Sequence, residues 1–253
     1  MKIELTERDR ELFKVINDYG MLSTNQILMI VFPQIDNSTA LARLRKLKYK
    51  KYIQSHSGLP KGQLVWTLAL KSRQIIDSDL EINVNKNQLE HDVLISEVRF
   101  RLEQNGVCRS WTSGFKLKQL ISKKDPQGVT QTSQIPDGIF SVQMPSGPQV
   151  VALELELVSK TKRRYRDILQ NYSSNSKIKW VWYLVNSNSL GNLLCEEANA
   201  IPRADGKKWL FSSNLADALN SNASIVLTNQ NHSIVLLKAP QADTQSLGTQ
   251  TQK

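Results

Sequence analysis

The chain has 253 residues, a length that favours two ordinary globular domains over one large domain. It carries 33 Lys and Arg residues against 23 Asp and Glu residues, which gives a formal net charge of +10 and a pI near 9.6. This balance favours polyanionic partners such as nucleic acid or anionic lipid, and the 40% hydrophobic content excludes wholesale disorder.

The sequence lacks several features that would indicate other classes of protein. It has no apolar run of about 18 residues and no apolar stretch at its N-terminus, so we expect a soluble, cytoplasmic protein without a membrane partner. Its two cysteines, Cys108 and Cys195, are too few for a disulfide framework and lack zinc-site spacing, so both are expected to be reduced and structural. Neither GxxxxGK[ST] nor GxGxxG occurs, which argues against nucleotide-driven chemistry.

The first 75 residues begin with three predicted helices. Thr6 precedes Asp9 by three positions and can cap a helix that ends at Gly20. Ser23 or Thr24 can cap a second helix, which must stop before Pro33. A third helix, beginning after Asn37, combines an apolar stripe with six cations in nine residues: Arg43, Arg45, Lys46, Lys48, Lys50 and Lys51.

A β-hairpin is predicted after the third helix, with strands at 52–55 and 63–68 and Lys61 in the connection. This order of elements resembles the winged helix-turn-helix module over residues 4–75. The resemblance implies that the third helix enters the major groove of double-stranded DNA and that the hairpin touches the DNA backbone. The alternative is a winged helix for protein interaction, in which the cations form a solvated face.

Residues 76–87 are polar and are interpreted as a linker, which makes the winged helix a separate unit. Residues 88–238 then form a second, α/β domain. Helices are predicted at 88–103 and 161–172 and the main strands at 108–117, 135–142, 150–158 and 180–185, with weaker strand signals at 209–212, 225–228 and 234–237. Residues 118–134 are expected to form a mobile loop, and residues 239–253 a disordered tail.

Three carboxylates stand near the ends of two neighbouring strands in this domain. Asp137 lies in the segment IPDGIF at the mouth of one strand. The next strand reads VVALELELV, which places Glu154 and Glu156 on one face and leucines on the other. Oxygen ligands from adjacent strand ends are typical of Mg²⁺ or Mn²⁺ sites, whereas the alternative is a solvated sheet face.

The second domain resembles the PD-(D/E)XK nuclease superfamily, with Pro136-Asp137 as the first motif and Glu154-Leu155-Glu156 as the second. The family's usual Lys is replaced by Glu156, so Lys160 or Lys162 would have to substitute, or the site would bind metal without cutting. The following helix is basic and adds Lys162, Arg163 and Arg164 to the expected DNA contacts.

The whole arrangement, with the segment LEHDVLISEVRFRLE before the nuclease motifs, resembles the plasmid replication-relaxation family, which includes MOBC-type relaxases. The resemblance covers residues 4–190. It implies that Asp137, Glu154 and Glu156 bind Mg²⁺ or Mn²⁺. Lys160, in the element that follows, is the expected further catalytic residue. It also implies plasmid-origin DNA and an auxiliary mobilisation or coupling protein as partners.

Other polar residues of the second domain have simpler interpretations. His91 lies on an apolar helical stripe, which favours a core histidine over a ligand or base, although the family resemblance places it near the carboxylates. Glu97 and Arg101 fit an ordinary helix-surface pair. Tyr165 and Tyr172 have the i, i+7 spacing of a packed face and are interpreted as structural rather than as nucleophiles.

Two functions therefore remain open. The first is a divalent-metal-dependent DNA-nicking relaxase or endonuclease of plasmid mobilisation or replication. The second is a non-catalytic DNA-binding regulator of replication or transcription with a degenerate nuclease fold. Membrane-surface binding is the weakest hypothesis, because neither basic helix has a broad apolar face.

Overall fold

The computed structural model describes residues 3–124, 134–203, 206–220, 224–230 and 232–236. The N-terminal part is a helical bundle closed by a small antiparallel sheet with the strand order β1-β3-β2. Its elements are α1 (Glu7–Tyr19), β1 (Leu22–Ser23), α2 (Thr24–Val31), α3 (Asn37–Tyr49), β2 (Ile53–His56), β3 (Val65–Leu68) and α4 (Leu70–Ile75).

Local capping fixes where the first helices begin. Thr6 and Asp9 form a reciprocal capping box at α1, and Ser23 and Gln26 form another at α2. The side chain of Asp36 caps α3. The three predicted helices and the hairpin are thereby confirmed, whereas the short helix α4 was not predicted.

The second part is a seven-stranded mixed sheet with helices on both faces, which confirms a mixed α/β fold. The strand order is β10-β9-β8-β7-β6-β5-β4, and β6, β7 and β8 run parallel. The elements are α5 (Leu89–Gln104), β4 (Arg109–Ser113), α6 (Gly114–Lys124), β5 (Gly138–Met144), β6 (Gly147–Glu156), α7 (Lys162–Ser173), β7 (Trp180–Val185), α8 (Asn188–Asn199), β8 (Leu210–Asn214), α9 (Leu215–Leu219), β9 (Ile225–Asn229) and β10 (His232–Leu236).

The alternation along β6 divides the core into two layers. Leu153 and Leu155 pack with α5 and α9, while Ala152 packs on the opposite face with α7 and α8. Glu154 and Glu156 share the face of Ala152, as the period of two predicts. Because they are only 8% and 5% exposed, the alternative of a solvated sheet face is wrong.

One segment of the second part differs from its sequence interpretation. The strand expected at 108–117 ends at Ser113, and the loop expected at 118–134 begins inside α6. Lys116, Lys118 and Lys123 are exposed on this helix, while the ring of Phe115 packs against Gly20. The remainder of that loop, residues 125–133, and the tail 239–253 lie outside the described residues.

The connection between the two parts is packed rather than free. Leu80 is buried, and Ile82 and Val84 pack against a cluster that contains Met21 and Leu89. The residues between the two parts are therefore packed against residues of both, and the independence of the first part stays a prediction.

Helix α5 joins the two parts through polar contacts. The Ser96 hydroxyl donates to the Met21 carbonyl at 3.1 Å, and the Arg99 guanidinium donates to the Asp18 carbonyl at 2.8 Å. The same guanidinium lies 3.9 Å from the centre of the Tyr19 ring. Helix α5 of the second part therefore also contacts residues of the N-terminal part.

Among the residues that the structure describes, no helix combines the length and the apolar character needed to span a bilayer.

Candidate functional site

The β5–β6 hairpin brings Asp137 beside the end of β6. Asp137 precedes β5, and its backbone N–H donates to the Leu153 carbonyl at 3.0 Å. Its carboxylate accepts a hydrogen bond from the Leu155 backbone N–H at 2.8 Å. The acid is therefore fixed across the hairpin next to Glu154, as the sequence motif predicts.

Glu154 occupies an environment that disfavours its negative charge. Burial and the neighbouring charge of Asp137 raise the pKa of Glu154 to about 8. The Tyr172 hydroxyl and the Gln134 amide, the latter at 3.0 Å, both donate to the carboxylate and only partly offset this effect. A cation placed beside Glu154 and Asp137 would relieve the electrostatic cost.

Glu156 has a dedicated cationic partner. The ammonium group of Lys160 forms an ion pair with the Glu156 carboxylate, and the backbone N–H of Lys160 donates to the Tyr165 hydroxyl at 2.9 Å. Lys162 instead pairs with Glu197 at 2.7 Å, which Arg166 also contacts. Of the two lysines considered as substitutes at this site, the fold brings Lys160 to the carboxylates and holds Lys162 elsewhere.

His91 is part of this site, so its interpretation as a core histidine is corrected. Its Nε2 atom lies 3.2 Å from Asp137 Oδ2 and 3.2 Å from the Leu155 carbonyl, while Nδ1 lies 3.1 Å from Asp92 Oδ1. Burial lowers the pKa of His91, but the hydrogen bonds and charges of Asp137 and Asp92 outweigh it and raise the pKa to about 10. The imidazolium thus places a positive charge against the Asp137 carboxylate.

Three buried tyrosines enclose the glutamates. Tyr165, Tyr172 and Tyr183 are all 2% exposed or less. Tyr183 stands opposite Glu154 in the β6–β7 register, and burial together with the charge of Glu154 raises its pKa well above the ordinary value. The structural interpretation of Tyr165 and Tyr172 agrees with their burial, but the sequence did not reveal that tyrosines position the carboxylates.

Within the described part of the chain, no group of three His, Cys, Asp or Glu side chains is arranged to hold a metal ion. Glu156 is engaged by Lys160 and Asp137 contacts His91, whereas the described hydrogen-bond donors to Glu154 are neutral groups, so Glu154 beside Asp137 is the acid best placed to gain from a cation. Carboxylate oxygens from two residues suit Mg²⁺, which commonly retains several waters and takes its remaining ligands from substrate phosphates. The donor chemistry therefore fits a two-carboxylate Mg²⁺ or Mn²⁺ site.

A second candidate surface is the basic side of α3. Its apolar residues Leu44 and Leu47 are fully buried. The cations on its outer side that remain exposed are Arg45, Lys46, Lys48 and, just after the helix, Lys51. Lys50 is half-buried, with its ammonium group 5.1 Å from the centre of the exposed Tyr49 ring.

Arg43 differs from the other cations of α3. Its guanidinium forms an ion pair with the buried carboxylate of Asp9 and also donates to the Glu4 carbonyl at 2.9 Å. In the structure this side chain ties α3 to α1. No local sequence pattern indicates this pairing, because 34 positions separate the two residues.

The remaining predicted DNA-contacting residues lie in two places. Lys61 is exposed in the connection between β2 and β3 and has a positive φ of 57°. Arg163 and Arg164 are exposed at the start of α7. These three cations are accessible to a polyanion.

A family model matches most of the chain. The model of the replication-relaxation family covers residues 13–180, a span that begins within α1, ends at the first residue of β7 and contains the three carboxylates, Lys160 and the cations of α3. No curated protein and no solved structure matches the chain at significant similarity. The family links the chain to plasmid replication or mobilisation. The chain belongs to the replication-relaxation family.

Proposed function

We propose that this protein is a divalent-metal-dependent DNA-nicking enzyme of plasmid mobilisation or replication, similar to a MOBC-type relaxase. The observation that carries the proposal is the convergence of Asp137, Glu154 and the Glu156–Lys160 pair at one edge of the central sheet. A purely structural sheet has no need for a buried acid such as Glu154, whose described hydrogen-bond donors are neutral groups.

The order of elements supports a PD-(D/E)XK nuclease-like core. The order α5, β4, β5, β6, α7, β7, interrupted by α6, places Asp137 before the second strand of the sheet motif and Glu154 and Glu156 at the end of the third. Lys160 follows directly and supplies a cation where the superfamily's usual Lys is missing. We assign Lys160 to that role.

The N-terminal part supports a winged helix-turn-helix interpretation. Helix α3 exposes Arg45, Lys46 and Lys48, and the β2–β3 hairpin carries Lys61 at an exposed position. These cations would neutralise phosphates of double-stranded plasmid-origin DNA. Arg43 would contribute by fixing α3 on α1 rather than by touching DNA.

In this proposal Asp137 and Glu154 hold Mg²⁺ or Mn²⁺. When bound, the ion would activate water and stabilise charge on the scissile phosphate. His91 orients the Asp137 carboxylate, and Tyr172 orients the Glu154 carboxylate. Lys160 keeps Glu156 charge-compensated and lies near enough to the site to approach a phosphate.

The second candidate is a non-catalytic regulator of replication or transcription. It is favoured by the Lys160–Glu156 ion pair, which occupies the third acid of the motif, and by the absence of a three-ligand group among the described residues. In either case the family resemblance suggests an auxiliary mobilisation or coupling protein as a further partner.

Nicking of supercoiled plasmid carrying the cognate origin, with Mg²⁺, Mn²⁺ or EDTA, tests the two candidates. The enzyme hypothesis predicts metal-dependent open-circular product from the wild type and a decrease of more than about 100-fold in Asp137→Asn and Glu154→Gln. Glu196→Gln is the matched control, because Glu196 is an exposed glutamate on α8. Wild-type DNA binding without nicking under every metal condition would favour the regulator.

A further inference from the structure

A polar cavity of about 530 Å³ opens near the carboxyl ends of β7 and β8. Six of its polar lining residues are Asn188, Asn192, Ser213, Asn214, Asp217 and Gln230. The cavity contains none of the carboxylates or cations of the candidate site described above. The carboxylate site therefore does not account for the polar residues that line this cavity.

The cavity exists because β8 and β9 diverge. Among the described residues of these strands, Ser212 and Thr228 are the one pair in register. Side chains bridge the rest: the Ser213 hydroxyl donates to the Val226 carbonyl, and the Thr228 hydroxyl donates to the Ser212 carbonyl at 2.9 Å. The gap is thus built into the sheet and is held by specific hydrogen bonds.

Helix α8 leaves space for this opening. A Cβ atom at Gly191 would lie 2.7 Å from the Ser212 hydroxyl, so a larger residue would force Ser212 to move. Asn188 and Asn192 lie one helical turn apart on the same side of α8 and line the cavity. Within the described part of the chain, neither side-chain amide has a hydrogen-bond partner, which leaves donors and acceptors for a ligand.

The lining is polar but does not suit an anion. Among the described residues that line the cavity there is no Lys or Arg, and Asp217 is an acid. The N-terminus of α8 is already capped by the Ser187 hydroxyl, which accepts from the Leu190 N–H at 3.3 Å. Amides and hydroxyls around the half-buried apolar side chain of Val226 suit a neutral group with hydrogen-bonding edges.

The cavity lies along the same edge of the sheet as the carboxylates. Glu156 at the end of β6 is in register with Val185 of β7, and Val185 is in register with Asn214 of β8. Two strand spacings therefore separate the acidic site from the cavity, which corresponds to about 10 Å. This is a distance that neighbouring groups of a single nucleic-acid strand can span.

We propose that the cavity binds an unpaired nucleobase of the DNA strand whose phosphate lies at the carboxylate site. This inference rests on the proposed function and adds a recognition subsite to it. Asn188 and Asn192 read the edges of the base, while the half-buried side chain of Val226 contacts its face. Pockets that accept an unstacked base use this combination of edge hydrogen bonds and apolar contact.

Competition binding without metal tests the subsite separately from catalysis. A fluorescent single-stranded oligothymidine is competed with an unlabelled oligothymidine or with an abasic oligomer of equal length and charge, in EDTA. We expect the wild type to prefer the strand with bases by about tenfold. The double variant Asn188→Ala/Asn192→Ala is expected to lose this preference and to keep its affinity for the abasic strand.

Ser189→Ala is the matched control, since Ser189 is exposed on the same turn of α8 but does not line the cavity. Thermal melting of each variant verifies folding, and both exposed asparagines can be truncated without opening the core. An unchanged base preference in the double variant, or an equal loss for both strands, would overturn the proposal. If the wild type prefers the strand with bases but never nicks DNA under any metal condition, the base-binding subsite is supported and the enzyme hypothesis is rejected.

Discussion

Asp9 in the N-terminal part and Glu154 in the second part are both nearly inaccessible, at 1% and 8% exposure, but their surroundings differ. Burial alone would raise the pKa of Asp9, yet hydrogen bonds from Arg43 and Thr6 lower it below the ordinary value. In the described structure the hydrogen-bond donors to Glu154 are neutral groups, and its pKa rises to about 8. A buried acid with a cationic partner, such as Asp9, supports the fold, whereas a buried acid without one, such as Glu154, is suited to receive a cation.

The largest effect expected from this comparison is on the pH dependence of stability. The folded-state pKa of Glu154, about 8, lies above its ordinary value of 4.5, so this group's contribution to stability is present below pH 4.5 and is lost as the pH rises through 8. Glu154→Gln removes that dependence and should be more stable than the wild type near pH 8, by on the order of a few kcal/mol. Urea unfolding at several pH values measures the difference. If the free energy of unfolding depends on pH in the same way for both proteins, the pKa of Glu154 is not raised in the folded state.

The opposite behaviour is expected at the paired acid. Arg43→Ala leaves the buried Asp9 carboxylate without its cation and should lower the free energy of unfolding by about 2 to 4 kcal/mol. Arg45→Ala is the matched control two positions away, because Arg45 is exposed, and it should change stability by less than about 0.5 kcal/mol. Chemical denaturation of both variants checks this. Equal effects would mean that the Arg43–Asp9 pair does not support the fold.

For DNA binding we expect the opposite ranking of the two arginines: replacing Arg45 should have the larger effect and replacing Arg43 the smaller. Replacing the exposed Arg45, Lys46 and Lys48 by Ala should reduce the salt slope of duplex binding by about 0.9 for each phosphate that is no longer neutralised. Fluorescence anisotropy at salt concentrations from about 50 to about 200 mM measures this change. Arg43→Ala, under conditions where it stays folded, should leave the slope nearly unchanged. If the triple substitution leaves the salt slope of binding unchanged, α3 does not contact the DNA phosphates.

The smallest expected effect is on the protonation of two histidines, His91 and His56. The acids around His91 raise its pKa to about 10, whereas burial lowers the pKa of His56 below the ordinary value of 6.5. In an NMR experiment at a pH of about 7.5, His91 should be protonated and His56 neutral. The Asp137→Asn variant should shift the His91 titration to lower pH and leave His56 unaffected. A His91 resonance that titrates near the ordinary pKa of 6.5 in the wild type would contradict its contact with Asp137.

Local patterns in the sequence predicted the elements better than they predicted the partners. The capping residues Thr6 and Ser23 marked two helices correctly, and the period of two along β6 placed Glu154 on its true face. Helix α6 was missed because its lysines and glutamine have the composition of a loop, although they form one side of a helix.

The partners of the site residues depend on contacts between distant positions. Tyr172 meets Glu154 across 18 residues, and His91 meets the Leu155 carbonyl across 64. A single sequence contains no spacing rule for such contacts, since they follow from how α5 and α7 pack on opposite faces of the sheet. Lys160 was within reach of prediction because it lies four positions from Glu156.

If Asp137 and Glu154 form a divalent-cation site, binding of Mn²⁺ should stabilise the folded protein, and a Mn²⁺ titration of the melting temperature measures this. We expect a saturable rise in the melting temperature of the wild type, equivalent to about 2.7 kcal/mol at about 100 times the Kd. The rise should be strongly reduced in Asp137→Asn and Glu154→Gln and retained in the exposed control Glu196→Gln. A wild-type melting temperature that does not respond to Mn²⁺, or an equal response in all four proteins, would contradict a cation site at Asp137 and Glu154.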